Sequence, residues 1–265
     1  MKEFILRYQR QITLEGFGME AQEKLSKAKV LVIGAGGLGC PVLQYLAAAG
    51  IGYLGVADDD TIQFSNLNRQ ILFGQEDIGQ YKVDIAAAKL NALNDRVKII
   101  TYQERWNQQM CIEHFPNYDI IVDATDNFAS RYMINDACVL LDKPLVFGAV
   151  SKYEGQLAVF NVVSNDIAVN YRDIFPTPPK NDEVLNCAEG GVLGVLPGTI
   201  GVMQATEVIK LITGVGAPLA NQMLTYNALN NQYITIQLIK NSEAIKTSPT
   251  TLDIFMQTNY AHLCS

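Results

Sequence analysis

The sequence has two histidines, one tryptophan and no pair of cysteines close enough to form CxxC. His114 and His262 are too few for an imidazole-based metal site, and Cys40, Cys111, Cys138, Cys187 and Cys264 show no zinc-ligand spacing. Five is an odd count, which fits reduced thiols, and most such thiols are small buried apolar groups. Charge is scarce as well. Only 18% of residues are charged, and 20 Lys and Arg against 27 Asp and Glu leave a formal net charge of -7. That balance speaks against a nucleic-acid surface, which needs clustered cations to neutralise phosphate. A long unbroken apolar run is also lacking. The most apolar stretch, residues 192–212, is interrupted by Gly194, Pro197, Gly198 and Gly201 and carries Glu207 and Lys210. It reads as a loop followed by a buried helix, not a membrane span. No apolar core follows Met1-Lys2-Glu3-Phe4, so a cytoplasmic protein without a signal peptide is expected.

What is present suits a folded domain: 265 residues, 49% of them hydrophobic. Residues 1–28 read as polar helices. Val30-Leu31-Val32-Ile33 is a short apolar run ending in glycine, as in a strand buried on both faces. A helix follows and closes at Gly50, then a strand from Gly52 to Ala57 runs into Asp58-Asp59-Asp60. The alternation continues with a helix over 83–93, strands over 97–101 and 118–124, a helix over 131–141 and a strand over 145–149. This predicts an α/β fold, a doubly wound and mainly parallel Rossmann-like sheet. After Val150 the pattern changes. Residues 155–163 and 222–239 read as antiparallel strands, with Asn230-Asn231 at a hairpin turn and a helix over 199–213 between them. Residues 241–265 lose periodicity and read as a tail or the start of a linker.

Gly34, Gly36 and Gly39 form G-x-G-x-x-G between a predicted strand and helix. Glycine lets the backbone turn tightly and approach a phosphate, and the helix N-terminus supplies free N–H groups. Asp58 closes the next strand, where a carboxylate can accept hydrogen bonds from a ribose. Two other readings use the same residues: glycines that serve only packing, and the dinucleotide site of an NAD-dependent oxidoreductase. The neighbours discriminate. Ser65-Asn66-Leu67-Asn68-Arg69 and then Lys82 bring two further cations, for which a dinucleotide has no use. A triphosphate attacked at its α-phosphorus does need them, because charge accumulates on the departing pyrophosphate. Asp126, in Asp123-Ala124-Thr125-Asp126-Asn127, follows a buried strand and is placed to hold Mg²⁺ at the carboxyl edge of the sheet. Asp123 reads as a structural strand-end carboxylate.

The motif set resembles the ThiF/MoeB/HesA family of ubiquitin-activating-type adenylyltransferases from Arg7 to about Leu238. The segments that carry the likeness are RYQRQI at 7–12, GAGGLGCP at 34–41, DDD at 58–60, SNLNRQILF at 65–73, DATDN at 123–127 and CAEGGVLGVLPGTIG at 187–201. The resemblance implies an adenylation domain over 1–240. Residues 1–28 would be its N-terminal helices, 29–150 its nucleotide-binding half and 151–240 its carrier-binding antiparallel half. It implies ATP bound through the glycine loop with Gly37, and through Asp58, Asp60, Ser65, Asn66, Arg69, Lys82, Asp126 and Asn127, with Asp126 on Mg²⁺. It also implies a homodimer in which Arg10 reaches the partner subunit's ATP site; an exposed helix charge is the plainer role for that arginine.

By the same likeness the substrate is the C-terminal Gly-Gly carboxylate of a ubiquitin-like sulfur carrier (as in molybdopterin or thiamine synthesis), activated as an acyl-adenylate with release of pyrophosphate. A sulfur-donor protein or a rhodanese domain is a further implied partner. The alternatives are the oxidoreductase and a ThiF-like enzyme acting on another carboxylate or a tRNA. Cys187 matches a position that forms a thioester or acyl-disulfide in some members, while its sequence neighbours include no His or Lys. Relatives commonly carry two CxxC pairs holding zinc. Asn170 and Asp173 stand where the first pair would be and the second is absent near residues 240–246, so no zinc is expected.

Overall fold

Strand β1 (Lys29–Ile33) shows why the sheet is parallel here. Val30 and Val32 point into one apolar cluster and Leu31 and Ile33 into another, so both faces need cover. The computed structural model describes residues 2–179 and 191–260. Its strands are β1, β2 (Tyr53–Ala57), β3 (Lys98–Tyr102), β4 (Ile120–Asp123), β5 (Leu145–Ser151), β6 (Glu154–Phe160), β7 (Gln222–Asn227) and β8 (Gln232–Gln237). They form one sheet in the order β3-β2-β1-β4-β5-β6-β7-β8. The first five run parallel, with Val32 opposite Val56 on one side and Val122 on the other. The last three pairings are antiparallel. The doubly wound parallel sheet with an antiparallel extension is thus the observed architecture.

Helices α1 (Lys2–Ile12) and α2 (Gly18–Lys27) precede the sheet. One face is covered by α3 (Gly39–Ala49), α4 (Lys82–Leu93) and α8 (Val195–Thr213), and the other by α5 (Gln108–His114) and α6 (Phe128–Leu140). Helix α7 (Tyr171–Ile174) is a single turn. Helix α8 is long and apolar enough to cross a membrane. Its Leu196, Ile200, Ala205 and Val208 lie in the sheet's apolar cluster, however, which makes it a core helix. It begins four residues earlier than the sequence suggested. Pro197 lies in its first turn, where no intrahelical N–H is required of it.

The stretch expected as a tail or linker carries two short helices over its described part. Helices α9 (Ser242–Thr247) and α10 (Leu252–Gln257) follow β8, capped by the side chains of Asn241 and Thr251. Six residues are too few to show a helical period, so these caps, not periodicity, were the available signal. Gln108 Nε2 donates to the carbonyls of Phe255 and Thr258, at 3.2 and 2.7 Å, and Phe255 is fully buried. Tyr260 donates its hydroxyl proton to Asp136 Oδ2 at 2.8 Å. The Asp136 carboxylate also takes Nε and Nη2 of Arg172, at 2.7 and 2.8 Å, in a fully buried pair. Asp173 joins the same region to the chain beyond β8, accepting from Asn241 N at 2.9 Å and Lys240 Nζ at 3.2 Å. Asn170 caps α7 through its Oδ1.

Candidate nucleotide and active site

The chain runs from β1 to β2 on one side and reaches β4 on the other, so the carboxyl ends of these strands flank a topological switch point. The glycine loop closes β1, and its packing explains two of its glycines. Gly34 has φ +100°, and a Cβ there would stand 2.6 Å from the Ala124 carbonyl oxygen. A Cβ on Gly39 would collide with the Gly34 carbonyl. The loop is pressed between the ends of β1 and β4 and leads into α3.

A cavity of about 710 Å³ opens above it. Its lining includes Gly34, Gly36 and Gly37 with Asp58 and Asp60 on the β2 side, Asn66, Arg69 and Lys82 from the segment beyond, and Asp126 and Asn127 after β4. Ser65 is exposed beside it, and its carbonyl accepts Arg69 Nη1 at 3.0 Å. Asn68 Oδ1 takes the same nitrogen at 3.1 Å, which orients the guanidinium. Asn66 Oδ1 accepts Gln63 N, and Asn127 Oδ1 accepts Ser130 N, so each amide caps the turn that carries it. Of the predicted nucleotide residues, Gly39, Ser65, Arg10 and Cys187 are not among those that line this cavity, and the rest share it. Arg10 is exposed on α1 and is not among the cavity's lining residues. Cys187 lies outside the described residues.

Asp58 is fixed by the loop it faces. Its Oδ2 accepts Ala35 N at 2.8 Å, its Oδ1 accepts Asp60 N at 3.0 Å, and burial pushes the carboxyl pKa up against the opposing charge of Lys82. Lys82 is buried with its Nζ 2.7 Å from Asp60 and 3.4 Å from Asp58. Burial works against that ammonium, but the two carboxylates outweigh it and hold its pKa above the ordinary lysine value. Lys82 is thus a positive charge at the site across the physiological range. The carboxylates of Asp58, Asp59 and Asp60 lie close together, and Lys82 supplies their countercharge. Asp126 is exposed and has no hydrogen-bond or ion-pair partner among the described residues.

Sequence reasoning missed several wall residues. Trp106, the only tryptophan, lines the cavity from the loop after β3 and donates Nε1–H to Cys111 Sγ at 3.2 Å. Gln70 and Arg131 are buried and also line it. In the sequence Arg131 only opened the predicted helix over 131–141. The thiols inside the described chain are inert. Burial pushes Cys40 and Cys111 up to about 12, and Cys138 well above the ordinary thiol value.

Residues 8–247 match the ThiF family. The chain is 46% identical over 242 residues to the sulfur carrier protein adenylyltransferase of Thermus thermophilus, covering 91% of this chain and 89% of that one. It is 42% identical over 264 residues to the probable adenylyltransferase/sulfurtransferase MoeZ of Mycobacterium tuberculosis, covering 99% of this chain and 66% of that protein. The adenylyltransferase and sulfurtransferase MOCS3 of Xenopus laevis is 44% identical over 262 residues, and the chain spans 57% of its length. Among solved structures, Escherichia coli MccB superposes with a TM-score of 0.77 at 21% identity, covering 89% of this chain and 72% of that one, which shows the fold alone. With its whole sheet, the glycine loop and both cations inside the matched region, the chain belongs to the ThiF family.

Proposed function

We propose that this protein adenylates the C-terminal carboxylate of a ubiquitin-like sulfur-carrier protein ending in Gly-Gly. One observation carries the reading: Arg69 and Lys82 open onto the same cavity as the glycine loop, Asp58 and Asp126. Two cations suit a triphosphate that loses pyrophosphate, and an oxidoreductase would leave them without a task. The most similar relatives reported above are named as adenylyltransferases, two of them also as sulfurtransferases.

In this reading the glycine loop and the N-terminus of α3 cradle phosphate, and Asp58 orients the ribose. Asn66 and Asn127 present their free amide nitrogens to the nucleotide, while Arg69 and Lys82 stabilise charge on the departing pyrophosphate. The incoming carboxylate is already ionised at neutral pH, so no general base is required and positioning dominates. Asp126, accessible and without a partner among the described residues, fits a Mg²⁺ ligand, because Mg²⁺ takes one or two carboxylates and keeps its waters. Bound there, the metal would neutralise phosphate charge. Arg10 completes the site from a second subunit of a homodimer, and the protein is cytoplasmic. A sulfur donor or rhodanese domain then consumes the acyl-adenylate, with Cys187 as the thiol able to carry the acyl group. No zinc is expected in this reading, because Asn170 and Asp173 stand where relatives carry the first cysteine pair, and Asp173 accepts instead from Lys240 and Asn241. Stoichiometric zinc in the purified protein would overturn that last point.

The deciding experiment is ATP–pyrophosphate exchange with carriers ending in Gly-Gly. Exchange that needs both the carrier and its terminal glycine is expected. Absence of exchange with every carrier, while ATP still binds, would sink the proposal.

A further inference from the structure

Asp123 and Arg131 stand at the two ends of the loop that carries Asp126, one closing β4 and the other the fourth residue of α6. Both are buried, at 1% and 8% exposure. They hold the same residue between them. Asp123 Oδ1 accepts Thr125 N–H at 2.9 Å and Thr125 Oγ1–H at 2.7 Å, and Arg131 Nη2 reaches the Thr125 carbonyl at 3.5 Å. Ala124, the residue before, is bonded through its N–H to Ile33 at 2.9 Å and packs against Gly34. The loop is therefore clasped to the phosphate loop on one side and to two buried polar side chains on the other.

The atoms left over are the informative part. Among the described residues, Asp123 Oδ2 and Arg131 Nε are buried with no hydrogen-bond partner, although the two side chains are neighbours. Gln204 Oε1 is a third such atom, and its Nε2 donates to the Asp123 carbonyl at 2.8 Å. Arg131 is further fixed over the rings of Phe128 and Phe147, 5.2 and 5.7 Å from their centroids. A buried ion pair is seldom a stability device, because apolar residues of similar volume hold a core as well or better. Here the two charges do not even form a direct ion pair; each turns its hydrogen bonds on Thr125. Stability explains such an arrangement poorly, and placement of the loop explains it well.

We infer that Asp123 and Arg131 are positioning residues that act through Thr125 to set the Asp126 carboxylate for the metal–nucleotide complex. This rests on the reading of Asp126 as the Mg²⁺ ligand. Asp123 thereby gains a role beyond closing a strand.

The test uses the full chain and ATP, with binding measured by calorimetry in EDTA and again in Mg²⁺. The readout is the ratio of the two dissociation constants, which a merely structural role would leave alone. Asp126→Asn should abolish the Mg²⁺ enhancement. Asp123→Asn and Arg131→Gln should each reduce it about tenfold, the loss typical when a partner of a metal ligand is removed. Thr125→Val deletes only the Oγ1 contact and gives the same readout if a charge variant fails to fold. If Asp126→Asn keeps the full enhancement, the metal reading falls and this inference falls with it. If Asp126→Asn loses it while the Asp123, Arg131 and Thr125 variants retain the wild-type ratio, the metal reading stands and the positioning role is overturned.

Discussion

The two halves of the sheet bury themselves very differently. In β1 every residue after Lys29 is buried, whereas all six residues of β8 are exposed, with Tyr233, Ile234 and Ile236 each about half accessible. Parallel strands joined by helical crossovers are covered on both faces, and their ends are held in fixed positions. That rigidity is what a nucleotide site needs, and the glycine loop, Asp58 and Asp126 all follow strands of this kind. The antiparallel end has one free edge and accessible aliphatic side chains. Such a strip suits recognition of another protein, the carrier in the proposed reaction.

The largest expected effect tests the contrast in burial directly. Leu31→Ala would leave a cavity in a packed core and should cost roughly 2–5 kcal/mol of unfolding free energy. Ile234→Ala, at a half-exposed edge position, should cost under about 0.5 kcal/mol. Denaturant unfolding of the two variants measures both. Comparable losses would show that β8 is covered in solution and would break the comparison.

A smaller effect sharpens the functional side. Ile234 and Ile236 lie two apart on β8 and so share a face. Ile236→Asp should raise the carrier KM in the exchange reaction about tenfold, a loss of roughly 1.4 kcal/mol, with ATP affinity and melting temperature unmoved. An unchanged carrier KM would move the docking surface away from this edge.

Much of this contrast was legible before any coordinates. VLVI ahead of the glycine loop read as a strand buried on both sides, and the change of pattern after Val150 marked the antiparallel extension. Asp58 and Asp126 stood out as carboxylates just behind predicted strands, and Arg69 and Lys82 as the cations that a triphosphate calls for. What escaped depends on contacts distant in sequence. Nothing local to Arg131 says that it will face Thr125 across a loop. Nothing local to Trp106 says that the end of β3 will bring it to the cavity. Tyr260 was hidden for the same reason, since its partner Asp136 is 124 residues away.

Tyr260 also sets the smallest test, because it anchors a stretch that composition alone marks as a free end to the buried side of the parallel half. Tyr260→Phe removes one hydrogen bond to Asp136. Arg172 still satisfies both carboxylate oxygens, so the cost should be only about 1 kcal/mol at neutral pH. The pH dependence is the stricter measurement. Burial, reinforced by the Asp136 charge and hydrogen bond and only partly opposed by Arg172, pushes the Tyr260 pKa well above the ordinary phenol value. The folded state thus keeps the proton that the unfolded chain releases near pH ~10. The stability this contributes is complete below that pH and declines as pH rises toward the folded value. Tyr118 is raised too, with burial the leading cause, but it is present in both proteins and cancels in their difference. Above about pH 10 the wild type should therefore lose stability more steeply than Tyr260→Phe, by up to about 1.4 kcal/mol per pH unit. Thermal melts across that range would give converging curves. Parallel curves would mean that the phenol is solvated and that the stretch after β8 is not anchored to the parallel half.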